Sequence, residues 1–159
     1  MTSQKLAALA VVFCLILQAR SSGGRAEYVG GTIIRIPPGC DGTVDAVDPQ
    51  FFVFYSKKAS WRVPYEKINL VEYGEKVDRR IAAAVLTALV APLVAPFLVL
   101  SKKRQHFLTV DYTDDEGHEQ AMIFKVNKDD IRATLVVLEA RTGRKVEYQD
   151  DDARKSGKG

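Results

Sequence analysis

His106, His118, Cys14 and Cys40 are the only histidines and cysteines in the 159 residues, and their spacing suits no catalytic or metal chemistry. Zinc sites bring ligands in closely spaced pairs, and neither histidine has such a partner. A nucleophile needs a base within reach and a third group to orient that base, and no motif supplies the set. Gly30-Gly31-Thr32 lacks the preceding strand, following helix and lysine that make a phosphate loop. The acidic turn Asp114-Asp115-Glu116-Gly117 lacks the spaced ligands and closing Glu of a calcium loop. The other carboxylates fall mostly in turns and at a helix start. These residues predict a non-enzymatic protein with no cofactor and no metal.

The elements that would position a site are mostly strands. Thr32 to Ile36 is β-branched and ends at the turn Pro37-Pro38-Gly39, which predicts a strand. Gly42 to Val47 predicts a second, Phe51 to Tyr55 a strand apolar on both faces, Trp61 to Val63 a fourth and Ile68 to Tyr73 a fifth. Residues 107–112 and 121–126 alternate about the acidic turn as a hairpin. The period then changes. Asn127 suits an N-cap, Asp129 and Asp130 suit the positive end of a helix dipole, and Gly143 suits the C-terminal cap. Ile131, Leu135 and Leu138 recur between them at helical spacing. Lys145 to Tyr148 predicts a short extended piece, and the charged residues 149–159 predict a disordered tail.

Two apolar stretches bear on location. Leu6 to Leu17 follows Lys5 and is too short to span a bilayer, as a signal h-region is. Gly24-Arg25-Ala26 offers small residues at the cleavage-defining positions, so residues 1–26 read as a signal peptide cut after Ala26 and a domain over 27–148. An uncleaved anchor is the alternative. Removing Met1 to Ala26 takes Lys5, Arg20 and Arg25 but no acid from 23 bases and 20 acids, leaving 20 of each. A neutral mature chain argues against a nucleic-acid partner. Cys40 alone would remain, which excludes an intrachain disulfide.

The second stretch is uncharged from Ile81 to Leu100. Arg79 and Arg80 precede it, and Lys102, Lys103 and Arg104 follow. As a helix its 20 residues would measure about 30 Å, near the thickness of a hydrocarbon core. Its 11 Leu, Ile, Val and Phe residues contribute roughly −3 to −7 kcal/mol to insertion. Pro92 and Pro96 each cost a straight helix about 3 kcal/mol, and basic flanks on both sides disfavour a simple span. A span would also put strands 28–73 and 107–126 on opposite sides of the membrane, leaving unpaired edges. The stretch therefore predicts a bent insertion that leaves and returns on one face. Ile81, Val85, Leu86, Leu89, Val90, Leu93, Val94, Phe97, Leu98 and Leu100 would contact the membrane, and the five bases would contact anionic headgroups. Ala82, Ala83, Ala84 and Ala88 give the alternative, burial against protein or a second copy.

Seven short antiparallel strands followed by one amphipathic helix resemble the pleckstrin-homology superfold and its GRAM-type relatives. Trp61-Arg62-Val63-Pro64-Tyr65-Glu66-Lys67-Ile68 is similar to a strand–turn–strand passage of bacterial members. The chain also resembles exported bacterial proteins with a strand-rich body and an apolar insertion. The resemblance implies a mainly β fold, a bent antiparallel barrel of about seven strands with a C-terminal capping helix. It implies a binding or scaffold module of the bacterial envelope, with a protein partner the sequence does not identify. The Pro37-Pro38-Gly39-Cys40-Asp41-Gly42 loop carries an acid and no base, so phosphoinositide binding is not expected. A soluble exported scaffold that self-associates through 81–100 is the rival reading.

Overall fold

A computed structural model of the chain describes residues 23–75 and 105–158. Strands β1 (Gly24–Gly31), β2 (Cys40–Asp45), β3 (Phe51–Ser56) and β4 (Ser60–Pro64) come first. A 3-10 turn, Tyr65–Lys67, leads into β5 (Ile68–Gly74). After the undescribed residues 76–104 come β6 (His106–Thr113), β7 (Glu119–Val126), helix α1 (Lys128–Thr142), β8 (Glu147–Tyr148) and helix α2 (Asp151–Lys158). The fold is mainly β. All eight strands form one sheet in the order β4-β3-β2-β1-β7-β6-β5-β8. Every pairing is antiparallel except β5 with β8. Among the described residues the sheet does not close, and β4 and β8 are its edges.

Period-two alternation gives one face of this sheet to the core. Tyr28, Val44, Phe52, Phe54, Val71, Tyr73, Leu108, Met122 and Phe124 point there and are buried. Phe124 lies at the centre, with ring centroids 5.0 Å from Phe54, 5.9 Å from Phe52 and 5.7 Å from Tyr28. Helix α1 packs on the same face through Ile131, Leu135 and Leu138. Its ends form where the sequence predicts. The Asn127 side chain accepts from the Asp129 amide, and Gly143, at φ 67°, donates its amide to Glu139 O.

Two expectations, a strand at Thr32 to Ile36 and a disordered tail, are corrected. Thr32 to Ile36 is a loop. The strand is β1, upstream, and beyond Gly31 the loop buries Ile33 and Ile36 while leaving Ile34 89% exposed. β-branched composition reported burial of two anchors three residues apart, which a turn supplies as well as a strand does.

The expected boundary at Ala26 lies inside a strand. Gly24, Arg25 and Ala26 pair with Val44, Thr43 and Gly42 of β2, and Ala26 pairs with Val126 of β7. The expected cut after Ala26 would therefore fall within β1 (Gly24–Gly31). The expected signal peptide otherwise falls in residues 1–22, outside the described residues.

The tail is not disordered throughout, because residues 151–158 form α2. The Asp150 side chain accepts from the Ala153 amide, acids occupy the first turn and bases the last. Ala153 is fully buried, and Gly157 lies so close to Tyr148 and Tyr73 that a Cβ would fall 2.5 Å from Tyr148 Cε1. The small residues that suggested disorder are what let this helix approach two tyrosines. The short extended piece expected at 145–148 is found as β8, which runs parallel to β5.

Candidate functional site, the end of the sheet where the chain leaves it

Ile81, Val85, Leu86, Leu89, Val90, Leu93, Val94, Phe97, Leu98 and Leu100 lie outside the described residues, as do Arg79, Arg80, Lys102, Lys103 and Arg104. What the structure places is the ground from which this segment departs. Gly74 pairs directly with Phe107, so the strands before and after the segment are neighbours and its two roots leave side by side. His106 lies across from Val126, and Val126 across from Ala26. The start of β1 therefore comes out at the same end of the sheet. Asn127 and the first turn of α1 stand there too, tied to β1 by Asn127 N–H to Arg25 O at 3.0 Å and Arg25 N–H to Asp130 Oδ2 at 3.1 Å.

At this end a cleft of about 850 Å³ is lined by Glu75, His106, Lys128, Asp129, Ile131, Arg132, Lys155 and Ser156. Three cations face two acids. Ile131 forms part of the floor, and its side chain is shared with the core. The walls are tied together. Arg132 Nε donates to Ser156 O at 2.9 Å, and Ser156 Oγ donates to Glu75 Oε1 at 2.5 Å. Helix α2 thus brings Lys155 beside residues of β5 and α1.

His106 is the one ring in the cleft that could exchange a proton near neutral pH. Its ring stacks on Tyr73, with centroids 6.0 Å apart and planes 9° from parallel. Its Nδ1 lies 2.6 Å from Tyr73 Oη. Burial pushes the Tyr73 hydroxyl up to about 12, so this group keeps its proton at neutral pH and donates to Nδ1 whenever that nitrogen carries no hydrogen. Burial also lowers the His106 pKa, opposed by Glu75 and aided by the cations Lys128 and Arg132. The lowered pKa favours the neutral form of the ring. The pair contains no nucleophile and no second base, and it positions a neutral ring under a cationic rim.

The other sequence candidates stay apart from this cleft. His118 is exposed in the β6–β7 turn, 3.5 Å from carboxylates of Asp114 and Glu116. Asp114 Oδ1 accepts the amides of Glu116 and His118, which with the other hydrogen bonds of the turn holds its pKa below the usual carboxylate value. Cys40 begins β2 as a half-buried free thiol. Among the described residues no group of three His, Cys, Asp or Glu could hold a metal ion. Among them, too, no helix is long and apolar enough to cross a membrane.

Sequence reasoning did not single out Lys128, Arg132 or Lys155. They are separated along the chain, and only the return of α2 across α1 collects them. The spacing of Lys128 and Arg132, four apart on a predicted helix, was the available signal. The chain matches no protein-family model and no curated protein.

Proposed function

We propose that this is a non-enzymatic, exported protein of the bacterial envelope, a pleckstrin-homology-like binding or scaffold module held at the membrane through the apolar segment 81–100. Seven antiparallel strands in sequence followed by a core-packed helix support the PH-like part of the reading. The observation that carries the membrane part is the pairing of Gly74 with Phe107. It brings the roots of the segment together at one end of one sheet, the end toward which the chain carries the bases that flank the segment in sequence. Lys128, Arg132 and Lys155 line the cleft at that same end. An apolar segment tethered at both ends beside a basic rim suits shallow insertion into an anionic surface, where each base near the headgroups contributes about 1 kcal/mol.

Fractionation of the exported protein tests this. Resistance to high salt with release by detergent is the expected result, because apolar insertion is not screened and ionic attachment is. Recovery in the soluble fraction without either treatment, as an oligomer, would transfer the segment to self-association.

A further inference from the structure

Cations with little to hold gather where α1 and α2 meet. Lys128 and Arg132 stand one turn apart on α1, and α2 brings Lys155 to the same cleft. Among the described residues neither lysine has an ion pair or a hydrogen bond, and Arg132 engages only its Nε, which donates to Ser156 O at 2.9 Å. That one bond fixes the plane of the guanidinium and leaves its remaining N–H donors for a ligand. Two acids share the walls, Glu75 and Asp129. Glu75 accepts from Ser156 Oγ, and Asp130, the next acid on α1, accepts from the Arg25 amide. Three cations therefore face two acids, and like charges brought together without a counterion repel.

We infer that this cleft binds a phosphate monoester, with Arg132 holding the phosphate, Lys128 and Lys155 neutralising it, and the organic part lying over Ile131. The number of cations selects the class of anion. A carboxylate offers two oxygens and is satisfied by one guanidinium fork, whereas a monoester offers three free oxygens and suits cations arriving from separate elements. Size selects the ester over the bare ion. At about 850 Å³ the cleft is in the range of small-molecule sites and larger than inorganic phosphate needs. Ile131 gives it an apolar floor, and His106, stacked on Tyr73, gives it a wall that does not add to the positive charge while the ring is neutral. A free ester and the headgroup of phosphatidic acid present the same chemistry here. The site consists of described residues and does not require segment 81–100 to insert, so it stands apart from the membrane reading.

Titration of the full chain with glycerol 3-phosphate, followed by proton NMR of its two histidines, tests this. His106 lines the cleft, and His118, in the β6–β7 turn, is the internal reference. A saturable shift of His106 with His118 unmoved is the expected result for a free ester. Arg132→Gln should weaken binding about tenfold, and Arg132→Lys, which keeps the charge but not the fork, should not restore it. Because Arg132 also holds α2, Lys155→Gln is the second variant: it removes a charge that ties nothing down, and it should weaken binding severalfold with Trp61 emission unchanged. Flotation on neutral vesicles doped with phosphatidic acid or with phosphatidylglycerol separates the two sources. A lipid-borne ester would leave His106 unmoved in solution and give a preference for phosphatidic acid that Arg132→Gln loses. No His106 shift together with no such preference overturns the inference, as does an equal shift with acetate. Failure to float on either vesicle while the solution shift persists counts against the membrane reading alone.

Discussion

The two ends of the sheet are built differently. At one end the chain closes on itself: the β6–β7 turn is fixed by Asp114 accepting two backbone amides, Gly117 takes φ 88°, and Lys67 is paired with Asp115. This end is acidic, with Asp114, Asp115 and Glu116 in succession. At the other end β5 and β6 part company at Gly74 and Phe107, and β1 begins nearby. Lys128, Arg132 and Lys155 surround the gap. Under the proposed membrane reading, a closed acidic end and an open basic end would orient the molecule toward an anionic surface. Neither charge balance nor strand count would reveal it, since acids and bases nearly cancel over the chain.

The largest effect should come from removing what leaves the open end. Replacing Ile81 to Leu100 with a short Gly/Ser linker should abolish vesicle binding and leave the sheet folded, because β5 and β6 already pair up to Gly74 and Phe107. Trp61 reports the fold, since its Nε1 donates to Tyr112 Oη at 3.1 Å. Unchanged Trp61 emission with lost flotation is the expected outcome, whereas emission shifted to that of exposed tryptophan would make the segment part of the core.

Neutralising Arg79, Arg80, Lys102, Lys103 and Arg104 together should have the next largest effect. Binding to anionic vesicles should weaken by about 1 kcal/mol per base at low salt, and binding to neutral vesicles should barely change. The salt dependence of flotation should largely disappear, leaving the apolar contribution of Leu93, Phe97 and their neighbours. Substituting Asp114, Asp115 and Glu116 at the closed end serves as the comparison, and it should not reduce binding at all.

A smaller effect concerns His106. Its pKa is lowered on folding, so the unfolded chain binds the proton more readily. The resulting stability is full above the ordinary histidine value of 6.5 and declines as pH falls below it toward the folded value. Protonation would also cost the Tyr73 hydroxyl its acceptor. Urea midpoints at pH 7.5 and 5.5 should therefore differ more in the wild type than in His106→Gln. An equal difference in both would remove His106 as the source.

The parts of this contrast that local chemistry dictates could be read from the sequence. The acidic turn, the alternation on either side of it, the Asn127 cap and the Gly143 stop each depend on residues within a few positions of one another. The open end could not be read in this way. The start of β1 resembled a cleavage site because Gly24 and Ala26 are small. The smallness of Gly24 also serves close packing, with a Cβ there falling 2.7 Å from Asp130 Cβ. Helix α2 was hidden for a related reason, since Ala153 and Gly157 hold little apolar surface of their own, yet Ala153 is buried in the core and Gly157 packs against Tyr148 and Tyr73. The basic cleft depends on three elements meeting, which no local pattern encodes.

The central claim is that the open end faces the membrane. It is tested most directly by placing an environment-sensitive fluorophore at Lys128→Cys or, separately, at Asp115→Cys, with Cys14 and Cys40 replaced by Ser. Both proteins would be mixed with anionic vesicles carrying a nitroxide-labelled lipid. The account predicts strong quenching of the label at position 128 and little at position 115. Equal quenching at both positions, or stronger quenching at 115, would contradict it.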